Sequence, residues 1–242
     1  MATATFGSPI KKVYGETVSL TTTAAHLLFR PTYHEVMFYC STAWRMGIAP
    51  RLASVQYYNG TTYSDYTFQA IDRDDTSHVP LDAMATSHYL YLGFADKVRG
   101  FYFNIDGTNK NANAATLDME YCSAISAGVG TFTDVASDSD GTTAGGVTLT
   151  QDGLYSFTLP AVVRGSITTL SSQQLYWYRF APSATLSATI DLIDIIPACD
   201  TTDYAYMEGG LGYQFALNLV QNGAFEFDHT GTGTLNISWI QH

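Results

Sequence analysis

Between residues 88 and 197 the chain runs in short stretches that alternate apolar and polar positions. Turn chemistry interrupts them about every ten residues, the rhythm of a β-sandwich or jelly roll. The predicted strands are HYLYLG (88–93), GFYFNI (100–105), TLDMEYC (116–122), TFTDV (131–135), GVTLT (146–150), LYSFTLP (154–160), LYWYRF (175–180) and TLSATIDLIDII (185–196). Segments rich in Asp, Asn, Gly and Ser, such as 106–115 and 136–146, separate them as loops. In the last strand Leu186, Ala188, Ile190 and Leu192 share one face, and Ser187, Thr189 and Asp191 the other. Past Ile193 both faces become apolar, as expected of a strand passing under another layer. The consecutive aromatics Tyr176, Trp177 and Tyr178 likewise fit a strand covered on both faces, with Arg179 at its rim.

Two hairpins are predicted outside this region. In SVQYYNGTTYSDYTF (54–68), Asn59-Gly60 supplies the positive φ of a type I′ turn between two β-rich runs. In GAFEFDHTGTGTLNISWI (223–240), Phe225 and Phe227 alternate with Glu226 and Asp228, and the chain turns through Thr-Gly-Thr-Gly. It then returns with Leu235, Ile237 and Trp239 on one face, so one face is expected to be core and the other wet. Strands near 12–20, 34–40, 52–58 and 61–68, with four more at 203–240, suggest a discontinuous sandwich domain of 1–86 plus 199–242. A jelly-roll-like sandwich of 87–198 is inserted in it. The expected class is all-β, with two packed antiparallel sandwiches.

Composition supports this picture and narrows the function. Charged residues make up only 14% of the chain against 46% hydrophobic, which favours strands and turns over helices held by ion pairs. The formal charge is −11, and no Lys or Arg follows Arg179, so direct contact with nucleic acid or an anionic membrane is disfavoured. No apolar run approaches the ~20 residues of a membrane span. The N-terminus lacks a secretory pattern, so synthesis as a soluble cytoplasmic product is expected. Cys40, Cys122 and Cys199 show neither zinc-knuckle nor disulfide spacing and are expected to be buried apolar side chains.

Catalytic signatures do not emerge. Asp72, Asp74, Asp75 and His78 have ligand chemistry, but their loop lacks the Gly turn and anchoring Glu of a calcium site. Asp138-Ser-Asp140-Gly141 resembles part of such a site, yet Val147 stands where a Glu is needed. There is no G-x-S-x-G, and TTAGG (142–146) lacks the Lys-Ser/Thr of a phosphate loop. Glycosidase chemistry would need two carboxylates across a cleft, and nothing in the spacing of Glu35, Glu120 or the strand aspartates pairs them. No cofactor is implied. Tyr57, Tyr58 and Tyr63, beside the Asn59-Gly60 turn, are candidates for stacking on sugar rings if exposed.

The order LYLGFADKVRGFYFNID, a polar loop, AATLDMEYCS, a DGT loop, LTQDGLYSFTLP and LYWYRFAPSATLSATIDLIDIIP resembles a sandwich module of tailed-bacteriophage virion structural proteins. WRMGIAPRLASVQYYNGTTYSDYTF upstream and FEFDHTGTGTLNISWIQH at the end are similar as well. The chain departs after the third strand of the module, where a Trp is expected and the longer SAISAGVG loop leads into GTFTDV instead. The resemblance implies a non-enzymatic protein on the capsid exterior, a decoration or cement protein bound to the major capsid protein and commonly trimeric. The basic spot of Lys11 and Lys12, with Tyr14, is the candidate capsid contact. The alternative is a tail or head-fibre appendage that binds a host receptor or carbohydrate through Tyr57, Tyr58 or Tyr63.

Overall fold

The computed structural model describes residues 12–30, 32–199, 201–217 and 222–241. Its strands begin with β1 (Lys12–Leu20), β2 (Ala25–Leu28), β3 (Glu35–Cys40), β4 (Trp44–Pro50), β5 (Leu52–Tyr58), β6 (Tyr63–Asp65) and β7 (Val79–Pro80). There follow β8 (Tyr89–Phe94), β9 (Gly100–Ile105), β10 (Leu117–Ser126), β11 (Val129–Asp134), β12 (Ser139–Asp140), β13 (Gly153–Ser156) and β14 (Arg164–Gly165). The chain closes with β15 (Leu175–Pro182), β16 (Asp191–Ala198), β17 (Ala205–Met207), β18 (Gly212–Ala216), β19 (Asn222–Asp228) and β20 (Gly233–Gln241).

These strands form four antiparallel sheets: β1-β20-β3-β18, β17-β4-β19-β2, β12-β13-β9-β16-β7, and β11-β10-β15-β8-β5-β6 with β14 on β15. They stack in that order, because hydrophobic clusters join the first sheet to the second, the second to the third and the third to the fourth. The protein is thus all-β, two sandwiches set face to face. Period-two alternation builds both cores. In the first, Phe38 meets Trp44, Phe225 and Phe227 at steep ring angles, with centroids 5.8, 4.9 and 5.4 Å away. In the second, Phe94 stacks on Phe101 at 5.0 Å, and the buried Tyr178 hydroxyl donates to the Val98 carbonyl at 3.1 Å. As expected of the aromatic triplet, Tyr176 and Tyr178 pack on this core while Trp177 is buried on the opposite face, beside Leu170 and Cys122.

Between the sandwiches lies a thin seam. Leu28, Ala49 and Ala224 of the first meet Ile196 and Cys199 beside the second, with Tyr102 alongside. The approach is close: a Cβ on Gly47 would sit 2.2 Å from the Cys199 sulfur, so only glycine fits there. Glu226, on the opposite face of β19 from Phe225 and Phe227, is wholly buried in this seam. Its carboxylate pairs with Arg99 at 3.1 Å and accepts the Cys199 backbone N–H at 3.0 Å. Arg99 also donates to the Cys199 carbonyl. A second cluster centres on Glu16 of β1, which pairs with Arg73 of the second sandwich at 2.9 Å and with Arg30 at 3.1 Å, and accepts the Trp239 indole N–H.

Several expectations change. The 86/87 boundary does not coincide with the sheets, because β5 pairs with β8 and β7 with β16, placing 52–80 in the second sandwich. The Asn59-Gly60 hairpin forms, with Tyr58 opposite Tyr63, but only Gly60 has positive φ, which a type I′ turn requires at both central residues. Instead the Asn59 side-chain oxygen accepts the backbone N–H groups of Thr61 and Thr62 in a four-residue loop. β19 and β20 do not pair with each other; the chain crosses between sheets there, and Glu226 is buried where a wet face was expected. Residues 185–190 precede β16 without strand structure, and Ala188 is exposed. GVTLT forms only an isolated bridge, at Val147. The pattern did not announce β4, whose WRMGIAP carries Gly47 and Pro50, residues that ordinarily weaken a strand.

Two tests follow from the seam. Arg99→Ala leaves the Glu226 carboxylate buried without its counter-charge and is expected to cost on the order of 3 kcal/mol in urea unfolding. An unchanged midpoint would rule out this role for the pair. The seam also predicts a response to acid. Burial lowers the pKa of His26, which stacks on Tyr102 at 4.8 Å, from its ordinary 6.5, so the folded state resists protonation and stability falls as pH drops below that value. Burial alone would raise the Glu16 pKa, but Arg73, Trp239 and Arg30 outweigh it and bring it below 4.5, so a second loss follows at lower pH. Burial raises the Asp194 pKa and opposes that loss. His26→Phe keeps the stack and should flatten the first loss selectively in thermal melts between pH 7 and 5.

Candidate functional site

The outer face of the fourth sheet carries the densest cluster of unusual chemistry. Tyr58 and Tyr63 face each other across β5 and β6 with centroids 4.8 Å apart, and the row continues through Tyr91 at 6.0 Å to Phe132 at 5.6 Å. It persists because odd residues of β8 and β15 point away from the core, while Leu90, Leu92, Tyr178 and Phe180 fill it. Arg179 lies among the rings, its guanidinium carbon 4.1 Å from the Tyr89 centroid and 4.3 Å from that of Phe132. It pairs with Glu120 at 2.6 Å and donates to the Tyr91 hydroxyl at 3.3 Å. Tyr63 remains 40% exposed, enough for a flat ligand to reach its ring.

Tyr89 and Glu120 also border a groove of about 740 Å³ lined by Asp118, Asp134 and Asp138, with Thr86 and Ser183. Asp118 and Glu120 come to this surface by alternation in β10, whose Leu117 and Met119 are buried. Burial and the nearby charges of Asp134, Asp138 and Glu120 raise the Asp118 pKa. The groove therefore gathers Glu120 with three aspartates, whereas Glu35 lies apart on the first sheet. What it offers is hydrogen-bond acceptors and hydroxyls beside aromatic rings, a surface suited to polyhydroxylated ligands.

The expected site residues distribute differently. Tyr58 and Tyr63 join the aromatic row, whereas Tyr57 points to the other face, packs on the core and bonds His88 Nδ1 at 3.0 Å. Tyr57 is therefore not part of the platform, because adjacent strand residues face opposite ways. Tyr14 lies under the Arg30 guanidinium, 3.7 Å from its centroid, and is 39% exposed. Lys11 lies outside the described residues; Lys12 opens β1 opposite Gln241. Asp72 and Asp74 accept backbone N–H groups of their own loop, and Asp75 is exposed. His78 leaves that loop to meet Asp191 at 3.0 Å. Asp138 accepts the Tyr155 hydroxyl, and Asp140 accepts the Thr142, Thr143 and Thr148 hydroxyls. Among the described residues, no group of three or more His, Cys, Asp or Glu side chains is placed to hold a metal. All three cysteines are buried and free.

Sequence reasoning missed Tyr89, Tyr91, Phe132 and Arg179 as partners of Tyr58 and Tyr63. The signal available was the odd-numbered aromatic spacing in YLYLG, which becomes informative only once the core face is known. Comparison with protein-family models, curated proteins and solved structures finds no match for the chain.

The groove makes a prediction of its own. Because the Asp118 pKa is raised in the folded state, its ionisation opposes folding once pH rises past the ordinary 3.8. Asp118→Asn should therefore raise the melting temperature at pH 7, and the gain should vanish below that pKa. A variant less stable than the parent at pH 7 would contradict the repulsion.

Proposed function

We propose that the chain is a non-enzymatic structural protein of a phage virion that packs onto the exterior of the capsid shell, decorating and reinforcing it against internal pressure. The resemblance in sequence supports the class. The observation that carries the docking mode is the outer face of the first sheet, where Val13, Met37 and Tyr39 are 56, 40 and 46% exposed. Thr17, Asn236 and Ser238 lie between them by cross-strand register. Among the described side chains Glu35, bound to Gln214 at 2.7 Å, brings charge only to the end of this face. Such a surface, poor in charge and bearing Met and Tyr, has the composition of an interface core.

The occupant proposed is the major capsid protein, with copies of this chain arranged as a symmetric oligomer, a trimer by the resemblance. Reinforcement arises from multivalency: a subunit bridging neighbouring shell subunits opposes the local opening of any one contact. The net charge of −11 suits an exterior position, since it limits adhesion to released DNA and anionic envelopes.

Saturable binding to capsids stripped of the protein is the direct test. The Met37→Glu/Tyr39→Glu double variant, at exposed positions of this face and with an unchanged melting temperature as the check that it folds, should weaken binding roughly tenfold or more. Parental binding by the variant, or particles lacking the protein that withstand heat as well as complete ones, would refute the proposal. The aromatic row favours a second reading, an appendage that binds carbohydrate by stacking on Tyr63 and Tyr58. In that case a glycan array should show hits that Tyr63→Ala abolishes while capsid binding is absent.

A further inference from the structure

At one edge of the seam lies a cleft of about 620 Å³, bordered by Ile48 and Pro50 of the first sandwich and by Arg51, Lys97, Arg99 and Arg164 of the second. The chain has 11 basic residues against 22 acidic ones, so four at one cleft is a marked concentration. Their states differ. Arg30, Arg45, Arg73, Arg99 and Arg179 are each committed to a carboxylate. Of the described basic side chains that form no ion pair, Arg51, Lys97 and Arg164 border this cleft, and Lys110 lies elsewhere.

Two acids, Asp96 and Asp203, also border the cleft, and Asp96 already accepts the Lys97 backbone N–H at 2.7 Å. Three unpaired cations thus outnumber two carboxylates on an otherwise acidic surface. Arg164 is held in place: its Nε donates to the Gln174 carbonyl at 2.9 Å, and its guanidinium carbon lies 5.8 Å from the Tyr176 ring centroid. Its two terminal amino groups form no hydrogen bond in the structure, so the fork that recognises an oxyanion is oriented and open. Gln173 and Gln174 add amides, and Leu159 and Leu175 an apolar strip. The volume matches that of small-molecule sites.

We propose that this cleft binds the oxyanion group of a small polar ligand, a carboxylate, sulfate or phosphate seated between Arg164, Lys97 and Arg51, with the amides meeting hydroxyls beside it. The site is separate from both the aromatic row and the outer face of the first sheet, so its failure would leave the proposed function untouched.

Calorimetric titration of the full chain at low salt, with sulfate, with phosphate, with a galacturonate trisaccharide and with its neutral galactose counterpart, tests the site and its source. Binding of any anionic probe, absent for the neutral one, weakened by added salt and reduced at least about tenfold in both Lys97→Gln and Arg164→Gln, is the expected result. Tighter binding of the trisaccharide than of the free anions would assign an acidic sugar; equal binding would assign the anion alone. Both variants alter exposed side chains, and an unchanged melting temperature establishes that they fold. The proposal is overturned if none of the anions binds, if the neutral sugar binds equally, or if the variants bind as the parent does.

Discussion

A wholly buried carboxylate, Glu226, sits between the two sandwiches and constrains how they meet. An isolated charge there would cost several kcal/mol, so Arg99 and the Cys199 N–H must approach it from the other side. That requirement sets the seam's geometry. It demands small residues, supplied by Gly47, Ala49 and Ala224, so that the neighbouring layers come close enough for the bonds to form. The Arg99–Glu226 pair and its directional bonds thus join the two sandwiches beside the apolar contacts of the seam. The Glu16 cluster adds a second fixed point, since Arg73 reaches it from the other sandwich.

Because the second and third sheets cover each other, the broad faces left open are the outer faces of the first and fourth. They differ in chemistry. The first is charge-poor, with Met37 and Tyr39 standing above small polar neighbours. The fourth carries rings around Arg179 and leads into the carboxylates of the groove. The edge of the seam offers a third surface, where Arg51, Lys97 and Arg164 stand unpaired. These surfaces follow from one stacking order: the faces that meet at the seam cover each other, and the residues at its margin are brought together from segments far apart in the chain.

LYWYRF forms β15, with Tyr178 on the core and Trp177 buried on the other face beside Leu170 and Cys122, while Arg179 lies among the rings of that outer face instead of at a rim. The Asn59-Gly60 hairpin was legible from the turn residues, although Asn59 shapes its turn through its side chain. The alternation in FEFD marks the period of β19 but not its environment, since Glu226 is buried. Period-two patterning states which residues share a face and is silent on what covers that face. For the same reason Tyr58 and Tyr63 were visible as candidates, while Tyr91, Phe132 and Arg179 were not visible as their neighbours.

By itself, then, the sequence determined the all-β class, the positions of most strands and the alternation within them, since these follow from local propensity and turn chemistry. Tertiary structure alone decided the pairing. It placed β5 beside β8, sent β19 and β20 to different sheets, and turned the polar face of β19 toward Arg99. Hydrogen bonding between strands is carried by backbone groups common to every residue, so partner choice depends on how whole faces pack, which no local stretch encodes.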